Sequence, residues 1–136
     1  MKRILIISLV LLSSCASPEK LLNNNNMDRI FFGNKGGFTN MGIDYVLFEN
    51  GKLCKMQPDN IIKVCKVNRE QICAVDTALT SMGFRDMKVD EPGNMTYYIT
   101  VINTDYKNSV KWSDHEQNPQ LKALYDYLME LVKTKQ

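Results

Sequence analysis

Tyr97-Tyr98-Ile99-Thr100-Val101-Ile102 decides the fold. Six consecutive aromatic or β-branched residues are a strand signal. Alternate side chains leave a strand on opposite faces, so Tyr97 and Tyr98 part company, one to the core and one outward. If the sheet has an open face, the outward tyrosine, Thr100 and Lys111 form a recognition surface there. Pro92-Gly93 turns the chain before this strand. Asn103 to Asn108 is a polar loop after it, and Ser109-Val110-Lys111-Trp112 returns antiparallel. Asn118 then caps a last helix with Pro119 in its first position. Leu121, Leu124, Tyr125, Leu128 and Val132 recur on one face of that helix.

The first half has the same rhythm. Arg29-Ile30-Phe31-Phe32 reads as a short strand ending at Gly33, followed by a loop over Asn34-Lys35-Gly36-Gly37. Ile43 to Phe48 is a second strand that runs into Asn50-Gly51, a hairpin signal in which both turn residues would take positive φ. Lys52 to Met56 pairs back, and Ile61 to Cys65 adds a strand after a turn at Pro58. A helix opens at Asn68, with Gln71 completing a capping pair. It carries Ile72, Val75, Leu79 and Met82 inward and ends at Gly83 with Phe84 folded back. The order strands, helix, strands, helix predicts an α+β fold. One antiparallel sheet of about four to six strands carries two helices packed on one face. Either half alone is too small to bury a core.

Outside this domain, Met1-Lys2-Arg3 precedes the apolar run Ile4 to Leu12, which is too short to span a bilayer. Small residues and Cys15 follow in Leu12-Ser13-Ser14-Cys15. That arrangement resembles the signal peptide and lipobox of bacterial lipoproteins. The resemblance implies cleavage after residue 14, diacylglyceryl transfer to the Cys15 sulfur and a lipid anchor in the membrane. Ala16 in the next position implies, by the sorting rule of enteric relatives, the outer membrane, on its periplasmic side or at the cell surface. Residues 15–26, with Asn23 to Asn26, read as the lipidated cysteine and a flexible tether. Residues 27–136 read as one domain.

The chain carries 17 basic and 15 acidic residues. Lys2 and Arg3 leave with the signal, which brings the two signs level and removes the electrostatic case for nucleic acid. Cys54, Cys65 and Cys73 remain after Cys15 is used. Three cysteines cannot all pair within the chain. Cys54 and Cys65, on neighbouring strands, are the candidate pair if a disulfide forms, and three unpaired, mostly buried thiols are the favoured reading. Without a CxxC pair, and with His115 the single histidine, no metal site or cofactor is expected.

Two stretches stand out as candidate binding surface. Gly36-Gly37-Phe38-Thr39 is an unusual glycine loop, but no Gly-Lys-Ser/Thr follows it, so it is no P-loop. Trp112 and Asp114 sit beside His115 at the end of a strand. Phe32-Gly33, Gly36 to Thr39, Asn50-Gly51, Pro92 to Met95 and Trp112, in that order, resemble a sparsely characterised group of Bacteroidetes lipoproteins, which implies no activity. With no assembled catalytic set, the expected function is a non-enzymatic binding or assembly module at the envelope. It would engage an unknown envelope protein or ligand, with the membrane held through Cys15. The alternative is a small hydrolase using His115 with Asp114 or Cys73.

Overall fold

The computed structural model describes residues 17–115 and 118–134. Cys15 and the apolar run before it lie outside the described residues. The elements are α1 (Pro18–Leu22), β1 (Arg29–Gly36), β2 (Ile43–Phe48), β3 (Lys52–Met56), β4 (Ile61–Lys66), α2 (Arg69–Ser81), β5 (Met95–Ile102), β6 (Lys107–Trp112) and α3 (Pro119–Lys133). A 3-10 turn covers Phe84–Asp86. The six strands form one antiparallel sheet in the order β4-β3-β2-β1-β5-β6, so the fold is α+β.

β1 is the central strand and joins the two halves of the chain. It runs through Gly33 to Gly36 instead of stopping, because β2 pairs with it as far as Asn34 and β5 as far as Gly36. Neighbouring strands therefore override the turn-like composition of Asn34-Lys35-Gly36. The β2–β3 connection is also wider than a two-residue turn. Gly51 N–H donates to the Phe48 carbonyl at 2.9 Å, and Gly51 takes φ 87° while Asn50 does not go positive. A three-residue loop with a left-handed glycine at its end has this geometry.

The alternation of each strand separates two cores. Ile30, Phe32, Tyr45, Leu47, Leu53, Ile99, Val101, Val110 and Trp112 share the larger cluster with Val75 and Leu79 of α2 and with Leu121, Leu124 and Leu128 of α3. The Asn68–Gln71 capping box closes in both directions, at 2.8 and 3.2 Å. Asn118 Oδ1 accepts from the N–H groups of Gln120 and Leu121, both at 3.1 Å. These caps satisfy donors that the helix itself leaves unpaired.

The opposite face carries a smaller cluster of Leu21, Val46, Phe48 and Cys54. The segment before β1 is therefore not a plain tether. α1 docks Leu21 onto the sheet, with Leu22 and Met27 packed beside it. Burying Leu21, with Leu22 partly covered beside it, fixes a helix too short to form by itself.

The cysteines follow the same division. Cys54, Cys65 and Cys73 are all unpaired. Cys54 lies in the cluster under α1, whereas Cys65 lies in the main core with its Sγ 3.7 Å from the Leu131 carbonyl. The candidate Cys54–Cys65 disulfide is thus absent and the favoured unpaired reading holds: the two thiols belong to opposite faces of the sheet, which a disulfide cannot bridge. A register shift between Leu53 and Cys54 sets Cys65 opposite Leu53 and Lys63 opposite Cys54. Cys73 is exposed on α2 rather than buried.

Candidate functional site

α1 covers only part of the second face. The rest is a groove of about 610 Å³ over β1, β5 and β6. The strand register builds it in rows. One row runs Met56, Asp44, Gly33, Tyr98, Lys111 across five strands. The next runs Cys54, Val46, Phe31, Thr100, Ser109. Gly33 leaves a gap in the first row, and the Tyr98 side chain reaches across it so that its hydroxyl donates to Asp44 Oδ1. Lys35 Nζ stands 3.9 Å from the other Asp44 oxygen and 5.8 Å from the Tyr98 ring centroid. That end of the groove therefore holds an exposed ammonium beside a carboxylate and an aromatic face, a largely solvated pair.

At the other side, the hydroxyls of Thr100 and Ser109 meet at 2.7 Å. Lys111 and Asp90 line the far rim. Phe31 and Met56 supply an apolar floor that continues into the cluster beneath α1. The groove therefore offers an apolar base, a row of hydroxyls, an ion pair already formed and the Lys111 ammonium. Groups of this kind fix the orientation of a ligand on a flat surface. The alternation reading placed the second tyrosine, Thr100 and Lys111 on one face, and they lie there together.

Both sheet edges are occupied or guarded. Beside β6, the Lys111 N–H donates to the Val89 carbonyl at 3.0 Å and the Glu91 N–H donates to the Lys111 carbonyl at 2.9 Å. Asn108 Nδ2 also donates to the Phe84 and Met87 carbonyls. The β4 edge carries Lys63 and Lys66 and an irregular register, features that discourage strand addition.

The glycine loop forms the tip of the β1–β2 hairpin. Gly36 and Gly37 take φ 119° and 77°, and Gly37 N–H donates to the Asn94 carbonyl at 3.0 Å. Left-handed backbone at both positions turns Phe38 fully into solvent, with Met41 also exposed. Lys35 and Asp44, at the base of this hairpin, line the groove, so loop and groove share one end of the sheet.

Trp112 and Asp114 lie elsewhere. Trp112 faces the helices and stacks on Tyr97 at 6.0 Å, with Tyr125 edge-on to both. The structure thus divides the candidate residues between two faces: Gly36 to Thr39 beside the groove, Trp112 and Asp114 under α3. His115 is exposed and makes no hydrogen bond to Asp114 or Cys73 among the described residues. Asp114 instead lies near Tyr97 and raises the pKa of its phenol.

Burial and carboxylate partners raise the tyrosines above their ordinary range. Tyr98 is pushed furthest, by burial first and then by the bond to Asp44. Burial raises Tyr45, Tyr106 and Tyr125, while Asp114 is the main cause for Tyr97. A raised folded-state pKa means that the unfolded chain ionises first. The stabilisation is complete below about pH 10, the unperturbed value, and is lost as pH climbs above it. The urea midpoint should be level between about pH 7 and 9 and fall steeply between about pH 10 and 11.5. A flat midpoint through that upper range would contradict the buried placement of these phenols.

No protein-family model matches this chain, and no curated protein matches it. Among the described residues no helix is long and apolar enough to cross a membrane. No group of three or more His, Cys, Asp or Glu side chains among them could hold a metal ion.

Proposed function

We propose that this chain is a lipid-anchored envelope protein that binds a partner without chemistry, through the groove on the second sheet face and the Phe38 loop beside it. The observation that carries the reading is the row of Asp44, Tyr98 and Lys111 over a Phe31 floor, which no other element among the described residues covers, on a sheet whose β6 edge is occupied and whose β4 edge discourages strand addition. Structural packing alone gives no reason to line one face with a half-buried tyrosine, a carboxylate and two exposed lysines, Lys35 and Lys111.

The anchor reading rests on the run ending at Cys15. It supplies an address at the bacterial envelope, with the outer membrane favoured by Ala16. α1 is docked on the sheet, and only Ala16 stands between Cys15 and Ser17. Two residues reach about 7 Å when extended. A lipid on Cys15 would therefore hold the domain against the membrane surface, not at the end of a spacer, and a partner in the same membrane would meet it at high effective concentration.

A photo-crosslinking residue at Thr100, with a second chain carrying it at Glu70 on the exposed side of α2, tests the reading in the native membrane. Thr100 should give a discrete adduct and Glu70 none. Lys111→Glu and Phe38→Ala should each cut the adduct about tenfold while leaving the melting temperature within a few degrees. Intact mass of the recovered protein should correspond to a chain starting at Cys15 with acyl groups added. Equal adducts from both positions would remove the groove from the proposal, and a lipid-free chain cut elsewhere would remove the anchor.

A further inference from the structure

The strands sort their charges by face. Within β1 to β6, Asp44 is the one acidic residue, and every other charged residue is Lys or Arg. The register places most of these on the face that α1 shares with the groove. Arg29 and Lys107 lie in the row of Phe48 and Ile102. Lys63 lies opposite Cys54, in the row of Val46, Phe31, Thr100 and Ser109. Lys111 ends the row of Asp44 and Tyr98, and Lys35 stands beside Thr96. Lys35, Lys63, Lys107 and Lys111 are all exposed. Asp44 is already bonded to Tyr98, and Asp90 adds a second carboxylate only at the groove rim. The helices on the other face mix the signs: Glu70 and Asp76 accompany Arg69 on α2, and Lys122 pairs with Asp126 on α3.

We propose that this face docks on an anionic phospholipid surface, with its lysines over the headgroup phosphates. The inference rests on the reading of this face as the binding surface and of Cys15 as the anchor, and it names the bilayer itself as the partner. The first support is charge complementarity. The lysines are spread over rows that run from β4 to β6, a width of about 24 Å at the usual strand spacing. A single small anion cannot meet side chains so far apart, whereas a plane of phosphates meets them all. The second support is where the chain leads. α1 seats Leu21 on this same face, and Cys15 lies two positions before Ser17, at its N-cap. A lipid on Cys15 therefore brings the membrane to the α1 side of the sheet and not to the side of α2 and α3. α1 stands about 10 Å above the strands beneath it. That step leaves a recess over β1, β5 and β6, into which Lys35, Lys107 and Lys111 extend. Phosphates across the recess fall within a Debye length of about 8 Å of the ammonium groups.

The acylated protein purified from its native membrane tests this in vesicles of phosphatidylcholine alone and of equal parts phosphatidylcholine and phosphatidylglycerol. One chain carries a photo-crosslinking residue at Ser109, exposed on this face, and a second carries it at Glu70 on α2. In the anionic vesicles Ser109 should give a lipid adduct by mass, and Glu70 about a tenth as much or less. Phosphatidylcholine alone, or sodium chloride at about 1 M, should cut the Ser109 adduct about fivefold or more. Lys107→Glu combined with Lys111→Glu should cut it about tenfold. Both lysines are exposed, so the circular dichroism of that variant should match the parent. Equal Ser109 adducts in the two kinds of vesicle, or parent-level adducts from the double variant, would overturn the proposal. A protein adduct from Thr100 in the native membrane, with no lipid adduct from Ser109 in either vesicle, would also overturn it. That result would leave the binding face standing, with an acidic protein as its partner. Loss of both adducts would remove the binding face as well, and intact mass checks the anchor separately.

Discussion

Gly33→Ala is expected to destabilise the domain by about 3 kcal/mol or more, although it adds only one methyl group. An alanine Cβ at this position would lie 1.8 Å from the Ile43 carbonyl oxygen and 2.9 Å from its carbon. Both atoms belong to the backbone of β2, so no side chain can rotate away. Relief requires moving β1 from β2, and β1 is the strand on which both halves of the sheet depend. The same methyl would enter the gap that Tyr98 crosses to reach Asp44. The variant should therefore melt more than about 10 °C lower. It should also lose the groove's ion-pair geometry. Thermal melting followed by far-UV circular dichroism checks the first effect. A loss under about 1 kcal/mol would mean that the strands are not this close at Gly33.

Gly33 also shows where the sequence could be read and where it could not. Strands with β-branched and aromatic runs, and helices with periodic leucines and asparagine caps, carry their signals locally. β5, α2 and α3 accordingly fall where the pattern puts them. The second half of β1 has turn composition, and only its two neighbours make it a strand. α1 has five residues, too few for any periodic signal, and its helicity comes from the docking of Leu21. The candidate cysteine pair is absent for a related reason. Adjacent strands suggest a bridge, but the register decides which face each thiol takes. The groove was half legible. Alternation along β5 and β6 gathers the open-face tyrosine, Thr100 and Lys111. The Asp44–Tyr98 bond joins residues 54 apart in sequence and exists only because β2, β1 and β5 align at Asp44, Gly33 and Tyr98. No local pattern encodes that alignment.

Phe31 and Phe32 can separate the fold from its function, because adjacent strand residues face opposite ways. Phe32 is fully buried, stacks on Tyr45 at 5.5 Å and occupies a row with Ile99 and Val110 in the middle of the main core. Phe32→Ala removes a whole ring from a site closed on both sides by strands and above by helices. The cavity cannot collapse, so the cost should be about 3–5 kcal/mol. For a domain with about 5–15 kcal/mol of total stability, that loss takes much of the margin. Phe31 is only half-buried, on the groove floor and at the border of the cluster under α1. Phe31→Ala should cost about 1–2 kcal/mol, since solvent already reaches part of the ring. Urea denaturation of the two variants should show a large fall in midpoint for Phe32→Ala and a small one for Phe31→Ala. Crosslinking from Thr100 should rank them in a different way. Phe31→Ala, still folded, loses the apolar floor next to Thr100 and should lose most of its adduct. Phe32→Ala should lose adduct only in proportion to the unfolded fraction. If Phe31→Ala binds like the parent chain, the second face is packing surface, and the partner must be sought at the Phe38 loop alone.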